Sequence, residues 1–244
     1  MRRLMVSPVT YDEAKLRETQ PYKATIAFLR EVVGARCMAV LEGEPGVGKT
    51  FGALSFAKKY NIPFITVVER FLLEKAPSRF FRTIVAEITG QEPASLWDAL
   101  ERLEQWASNG NAPRTIFLDE AQWLTGKALD AFRRLHDFTG CTILLIGHEG
   151  ELVKLLTRYP QARDRVAMRF VVPPLSFSDL ELLHGADFNG ELLQAIYDLT
   201  QGNFRRLQRV VSHLFAYAAA RKKLTTELTV QELRLVTKNL VIEW

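Results

Sequence analysis

Two short stretches of this chain carry residue types at spacings suited to a nucleoside triphosphate. Gly43-Glu44-Pro45-Gly46-Val47-Gly48-Lys49-Thr50 has the form G-x-x-x-x-G-K-T. Glycines at those positions let the backbone curl until its N–H groups point inward at phosphate oxygens. Lys49 is placed to lay a cation on the β- and γ-phosphates. Thr50 is placed to offer a hydroxyl to Mg²⁺ at the start of a helix, where the helix dipole also favours anions. The candidate nucleotide-binding residues are therefore Glu44, Pro45, Gly46, Val47, Gly48, Lys49, Thr50 and Phe51. The second stretch, Thr115-Ile116-Phe117-Leu118-Asp119-Glu120, ends an apolar run in two adjacent carboxylates. Asp119 would assist the metal through its water shell, making Thr50 and Asp119 the metal candidates. Glu120 would orient and activate the attacking water. Taken alone, that pair is also the ordinary acidic turn at a strand end; the phosphate loop upstream favours the chemical reading. Together the stretches predict hydrolysis of ATP with Mg²⁺ as cofactor.

Three further polar groups fall where such a site would need them. Strand-like residues 141–147 lead into His148, which is either a γ-phosphate sensor between the two motif strands or simply a histidine capping a strand. Gly202-Asn203-Phe204-Arg205 has the form G-x-x-R, from which Arg205 could reach back to the nucleotide. Tyr159 to Phe170 contains Arg163, Arg165 and Arg169 just before the last strand-like run. An arginine there could enter a neighbouring subunit's site and stabilise charge on the γ-phosphate. Arg165 is the first candidate and Arg163 the second, with pairing to surface acids such as Asp164 as the competing reading. Arg169 lies inside the strand pattern and reads as structural.

These groups need a scaffold, and the hydrophobic pattern supplies one. Apolar runs at 37–42, 62–68, 114–119, 141–147 and 168–172 are short and bounded by turn residues, as buried strands are. Helical patterns lie between them at about 51–60, 78–90, 95–108, 125–137 and 149–157. Tyr11 to Val33 reads as one or two helices broken at Gln20-Pro21. Alternating strands and helices predict an α/β fold whose five-stranded parallel sheet is flanked by helices. A whole strand–helix unit, 62–90, separates the two chemical stretches, as in phosphate-loop ATPases that hydrolyse with a strand-end glutamate.

After Pro173-Pro174-Leu175 no strand-like run follows, and 178–184, 188–200, 203–221 and 229–239 look helical. Asn203 is a candidate N-cap, and Thr229 another with Glu232 three residues on. The expected organisation is an α/β nucleotide-binding domain over 1–175 and a small C-terminal helical lid over 176–244.

Composition bounds the class. The chain has 244 residues, 48% hydrophobic and 25% charged, which suits a globular protein with a sizeable core. No run approaches a membrane span and the first residues lack the apolar core of a signal peptide, so a cytoplasmic protein is expected. Cys37 and Cys141 both sit in apolar runs and read as buried small hydrophobes rather than a disulfide or metal pair. The formal charge of +4 is mild. Residues 203–223 carry Arg205, Arg206, Arg209, Arg221, Lys222 and Lys223 without an acid, a pattern that fits a solvated helix face as well as a nucleic-acid partner.

The motif set resembles the AAA+ ATPase superfamily over nearly the whole chain. Gly43–Thr50 resembles Walker A and Asp119-Glu120 resembles Walker B. His148 falls at the sensor-1 position, Arg163 and Arg165 in the arginine-finger region, and Arg205 at sensor 2. A narrower likeness rests on Asp119-Glu120-Ala121-Gln122, the helix from Ala128 to Asp137, Thr139-Gly140 and Leu144-Leu145-Ile146-Gly147-His148. These are similar to the MuB/TnsC/TniB group of transposition ATPases. That resemblance implies an ATP-dependent homo-oligomer, a ring or helical filament, that coats double-stranded DNA without sequence preference and recruits or activates a transposase. Too few residues precede the core for a separate DNA-binding domain, so DNA contacts are expected from the core. The resemblance places them near Lys75, Ser78, Arg79, Arg82 and Lys127, where cations could track phosphates; taken singly, each reads first as a solvated surface position. Two other functions share this core: a helicase or replication-initiation loader, and a nucleotide-switched scaffold without DNA.

Overall fold

The computed structural model describes residues 11–67, 77–109, 114–238 and 240. The chain divides into two compact units. The first holds residues 25–44 and 49–172; the second holds the residues up to Ala24, the loop segment Pro45–Gly48, and residues from Pro173 onward.

The α/β unit is built on a sheet of five parallel strands in the order β2-β3-β4-β1-β5. They are β1 Met38–Gly43, β2 Phe64–Thr66, β3 Thr115–Asp119, β4 Thr142–His148 and β5 Val166–Val171. The central strands read as continuous apolar runs because helices cover both faces. On one face Met38, Val40, Ile116, Leu118, Ile143 and Leu145 belong to a core with Phe80, Phe81, Ile84, Leu103 and Phe132. Those aromatic and aliphatic residues come from α4 (Pro77–Thr89), α5 (Leu96–Ser108) and α6 (Gly126–Thr139). The alternate residues Ala39, Leu41, Phe117, Leu144 and Ile146 are buried on the other face. There Phe56 of α3 (Lys49–Tyr60) stacks on Phe117, and Phe28 of α2 (Gln20–Ala35) stacks on Phe170.

The strand order puts β4 between β1 and β3, so the two chemical stretches end on strands separated by the one carrying His148. Register aligns Gly43 with His148 and Leu118 with Leu145, so all three strands finish on the same edge. At that edge Glu42 is fully buried, pairs with Arg169 of the neighbouring β5, and accepts a hydrogen bond from the Gly150 N–H at 3.3 Å.

Element boundaries shift from the sequence expectation where caps intervene. The helix after the phosphate loop begins at Lys49, two residues early. Strand β2 is three residues long, and the Val67 N–H donates to the Asp119 carbonyl, continuing the hydrogen-bond pattern of the β2–β3 ladder one residue further. Helix α7 (Glu151–Arg158) starts after Gly150, which takes a left-handed conformation at φ +78°. A short helix α8, Pro160–Arg163, fills the segment before β5 and had no counterpart in the hydrophobic pattern.

The regular structure of the second unit's described residues is helical: α1 Glu13–Glu18, α9 Phe177–His184, α10 Gly190–Thr200, α11 Phe204–Arg221 and α12 Val230–Thr237. Its core gathers Leu180, Leu192, Ile196, Leu207, Val210, Leu214 and Leu228, with Tyr11 and Leu16 packed on it. Capping defines the ends. Asn203 accepts from the Arg206 N–H at the start of α11, and Thr229 with Glu232 makes a capping box on α12. A second box, Ser176 with Asp179, opens α9.

Candidate functional site

Residues of the phosphate loop that group with the α/β unit converge with the end of β3. Lys49 is buried at the first turn of α3, and its ammonium donates to the carbonyls of Gly43 and Glu44, both at 2.9 Å. The Thr50 hydroxyl donates to Asp119 Oδ2 at 3.0 Å, and the Glu120 N–H donates to Asp119 Oδ1 at 3.0 Å. Burial pushes the Asp119 carboxyl above its ordinary value, against the hydrogen bonds and the Lys49 charge, which lower it. A buried carboxylate beside a hydroxyl is a hard oxygen pair that a divalent cation would relieve.

Glu120 stands in the left-handed region, φ 55° and ψ 34°, between β3 and a single 3₁₀ turn, Ala121–Trp123. One of its oxygens is engaged: Gln122 Nε2 donates to Oε2 at 2.6 Å, and His148 Nε2 lies 3.8 Å from the same atom. Both side chains, Glu120 and His148, are about one third exposed, so the site opens to solvent on this side.

The arginines before β5 have partners inside the α/β unit. Arg165 Nε donates to Asp137 Oδ1 at 2.7 Å, and Arg163 donates to Asp164 at 3.2 Å. Partial desolvation raises the Asp137 carboxyl, but the Arg165 hydrogen bond and the Arg165 and Arg133 charges outweigh it and hold the group below its ordinary range. Arg169 takes the structural place expected of it, against Glu42.

The middle of the loop, Pro45–Gly48, belongs to the helical unit's contacts. Asn203 Nδ2 donates to the Pro45 carbonyl at 2.9 Å, and the Arg205 backbone N–H donates to the Gly46 carbonyl at 3.2 Å. Gly46 has φ +90°, and a Cβ there would meet Arg205 Cβ at 2.6 Å and Asn203 Oδ1 at 2.8 Å. Arg205 therefore engages the loop through its backbone, while its side chain is exposed. Val47 is buried; Glu44 and Pro45 are exposed and Phe51 is half-buried.

The DNA candidates are dispersed. Lys75 lies outside the described residues. Ser78, Arg79 and Arg82 sit on the first turns of α4, and Arg82 is held by the Pro93 carbonyl at 2.8 Å and Glu92 at 2.9 Å. Lys127 is exposed at the start of α6, on another element. Two contacts that motif reading did not anticipate are made by Gln122, to Glu120 within the α/β unit, and by Asn203, to the Pro45 carbonyl within the helical unit. Gln122 is betrayed only by its position two after Glu120, Asn203 by standing inside the G-x-x-R spelling.

A family model described as an AAA domain matches residues 33–156, just over half of the chain. Replication factor C small subunit 2 of Pyrobaculum aerophilum is 27% identical over 231 residues, covering 89% of this chain and 65% of that protein. Replication factor C small subunit of Aeropyrum pernix is 25% identical over 218 residues, covering 82% of this chain and 60% of that one. The chain thus spans less than two thirds of the length of these curated relatives. Among solved structures, Cdc6p from Pyrobaculum aerophilum superposes with a TM-score of 0.68 at 16% identity, covering 96% of this chain and 72% of that one. The Aeropyrum pernix Orc1 protein in complex with DNA gives 0.62 at 18% identity, covering 98% and 68%. These likenesses establish the fold as that of an AAA+ core. The two curated relatives named are replication factor C subunits, and the narrower link to transposition gains no support from them or from these structures.

Proposed function

The chain belongs to the AAA domain family, and from that premise we propose that it is an ATP-hydrolysing, DNA-directed ATPase of the loader and initiator kind, working as one subunit of an assembly. The observation that carries the ATPase part is the meeting of Thr50 and Asp119 at 3.0 Å beside the buried Lys49. In this reading Lys49 exchanges the Gly43 and Glu44 carbonyls for phosphate oxygens, so the loop keeps its cation satisfied until nucleotide arrives. Thr50 and Asp119 would hold Mg²⁺, which when bound neutralises charge on the β- and γ-phosphates. Glu120 accepts the attacking water's proton on Oε1, since Gln122 occupies Oε2. An arginine finger would be Arg165, released from Asp137 toward a neighbouring subunit. Arg165 is about half exposed and Asp137 keeps its pairing with Arg133 when Arg165 leaves, so the release costs little, about 1 kcal/mol.

Direction toward DNA is supported by the relatives, which are replication factor C subunits and an Orc1 solved with DNA. One resemblance favours a second reading, the transposition regulator: the run Asp119-Glu120-Ala121-Gln122 followed by the helix pattern of α6. ATP turnover with no DNA, single strands or duplex, imaged in parallel by electron microscopy in ATP, a slowly hydrolysed analogue and ADP, separates them. The loader reading expects DNA-dependent turnover and short, discrete ATP-dependent assemblies. Continuous coating of duplex would move the assignment to the transposition regulator. Bare DNA and unaltered turnover in every state would leave a nucleotide-switched scaffold.

A further inference from the structure

Gln122 makes a side-chain hydrogen bond to Glu120. Its Nε2 donates to Glu120 Oε2 at 2.6 Å, the short distance of a charge-assisted bond. Its other end, Oε1, is buried and has no hydrogen-bond partner among the described residues. An orphaned buried carbonyl is unfavourable, so the amide is held in this orientation by what its N–H₂ group does. The wall behind it is Gly147 of β4: a Cβ there would fall 2.3 Å from Gln122 Oε1 and 3.0 Å from Leu152 Cγ. The missing side chain of Gly147 makes the space in which the amide lies. Glu120 itself sits in a left-handed backbone conformation, which aims its side chain off the strand and leaves the carboxylate to be oriented by its neighbours. Among the described residues, Oε1 of Glu120 accepts no hydrogen bond, while Oε2 has both Gln122 and, at 3.8 Å, His148.

We propose that Gln122 is a positioning residue for hydrolysis: seated in the space left by Gly147, its carboxamide pins Glu120 by one oxygen and presents the other to the attacking water. The proposal rests on the reading of Glu120 as the water-activating group. It assigns Gln122 no contact with ATP, so its effect belongs in turnover and not in nucleotide affinity.

The test compares Gln122→Ala, Gln122→Met and Gly147→Ala with the unaltered chain, each alone and with Glu120→Gln, reading kcat and the ATP dissociation constant separately. Gln122→Met keeps most of the volume and removes the donor. Gly147→Ala leaves Gln122 in place and displaces the flexible end of its side chain. All three are expected to lower kcat about tenfold, the worth of one hydrogen bond to a charged group, with ATP affinity changed less than about twofold. In the Glu120→Gln background the further loss should vanish, because Gln122 acts through Glu120. Wild-type turnover in Gln122→Met with a loss only in Gln122→Ala would mean packing alone and would overturn the proposal, as would a loss that persists beside Glu120→Gln. If Glu120→Gln alone hydrolysed ATP at the unaltered rate, the fault would lie instead with the reading of Glu120.

Discussion

Lys49 and Glu120 differ in what they contact, and that difference separates their expected phenotypes. Lys49 is buried with its ammonium on two loop carbonyls. If Lys49 holds phosphate as proposed, Lys49→Ala removes that cation, and a nucleotide titration should show affinity falling about 10- to 100-fold. Glu120→Gln preserves shape and polarity but loses the base. Binding should persist while turnover drops about 10²- to 10⁴-fold, a split readable by comparing equilibrium binding with steady-state hydrolysis. Arg169 shows why a charge near the motifs need not be chemical. It neutralises Glu42, which is 0% exposed on a central strand. Arg169→Ala strands that carboxylate, and denaturant unfolding should show a loss of about 2 kcal/mol. That lies below the range for fully enclosed pairs because the guanidinium is half in solvent.

At the scale of elements, turns and caps decide where the functional residues stand. The turn from α10 into α11 uses Gln201 and Gly202 in left-handed conformations, and Asn203 then caps α11 while donating to the Pro45 carbonyl. Gly202 has φ +70°, and a Cβ there would lie 2.0 Å from the Leu175 carbonyl oxygen, a backbone atom with no room to yield. Gly202→Ala should therefore destabilise the helical unit by about 2–4 kcal/mol, with the loss appearing in chemical denaturation. Motif spelling marks Arg205 as the important member of Gly202–Arg205, whereas Asn203 makes the side-chain bond to the loop. A side chain's partner across 158 residues of sequence cannot be read from local pattern.

At the scale of the whole molecule, a buried histidine ties the helical unit's stability to pH. The helical unit buries His184, whose ring sits between Asp187 at 2.8 Å and the Tyr11 hydroxyl at 3.1 Å. Burial pushes its pKa below the ordinary 6.5, and the Asp187 hydrogen bond and charge offset this only in part. The sign follows: the folded unit favours the neutral ring, so the stability this group contributes is complete above about pH 6.5. It is lost as pH falls from there toward the depressed folded value. Thermal unfolding of the helical unit should show a lower midpoint at about pH 5.5 than at about pH 7.5, and His184→Gln should flatten that slope.

Much of this molecule is legible from local chemistry. Five apolar runs became five parallel strands because central strands covered on both faces need apolar side chains throughout, and that requirement is visible without any fold. The turn at Gly46 and Gly48 was legible because positive φ is a backbone requirement that glycine meets, and the Asn203 and Thr229 caps because a cap is a local hydrogen bond. Tertiary structure alone decided the rest. It set the pairing of Arg165 with Asp137 and of Arg169 with Glu42. It also brought Gln122 to Glu120 in a space opened by Gly147. Those contacts join elements distant in sequence or depend on room left by another strand, and neither spacing nor periodicity carries that information.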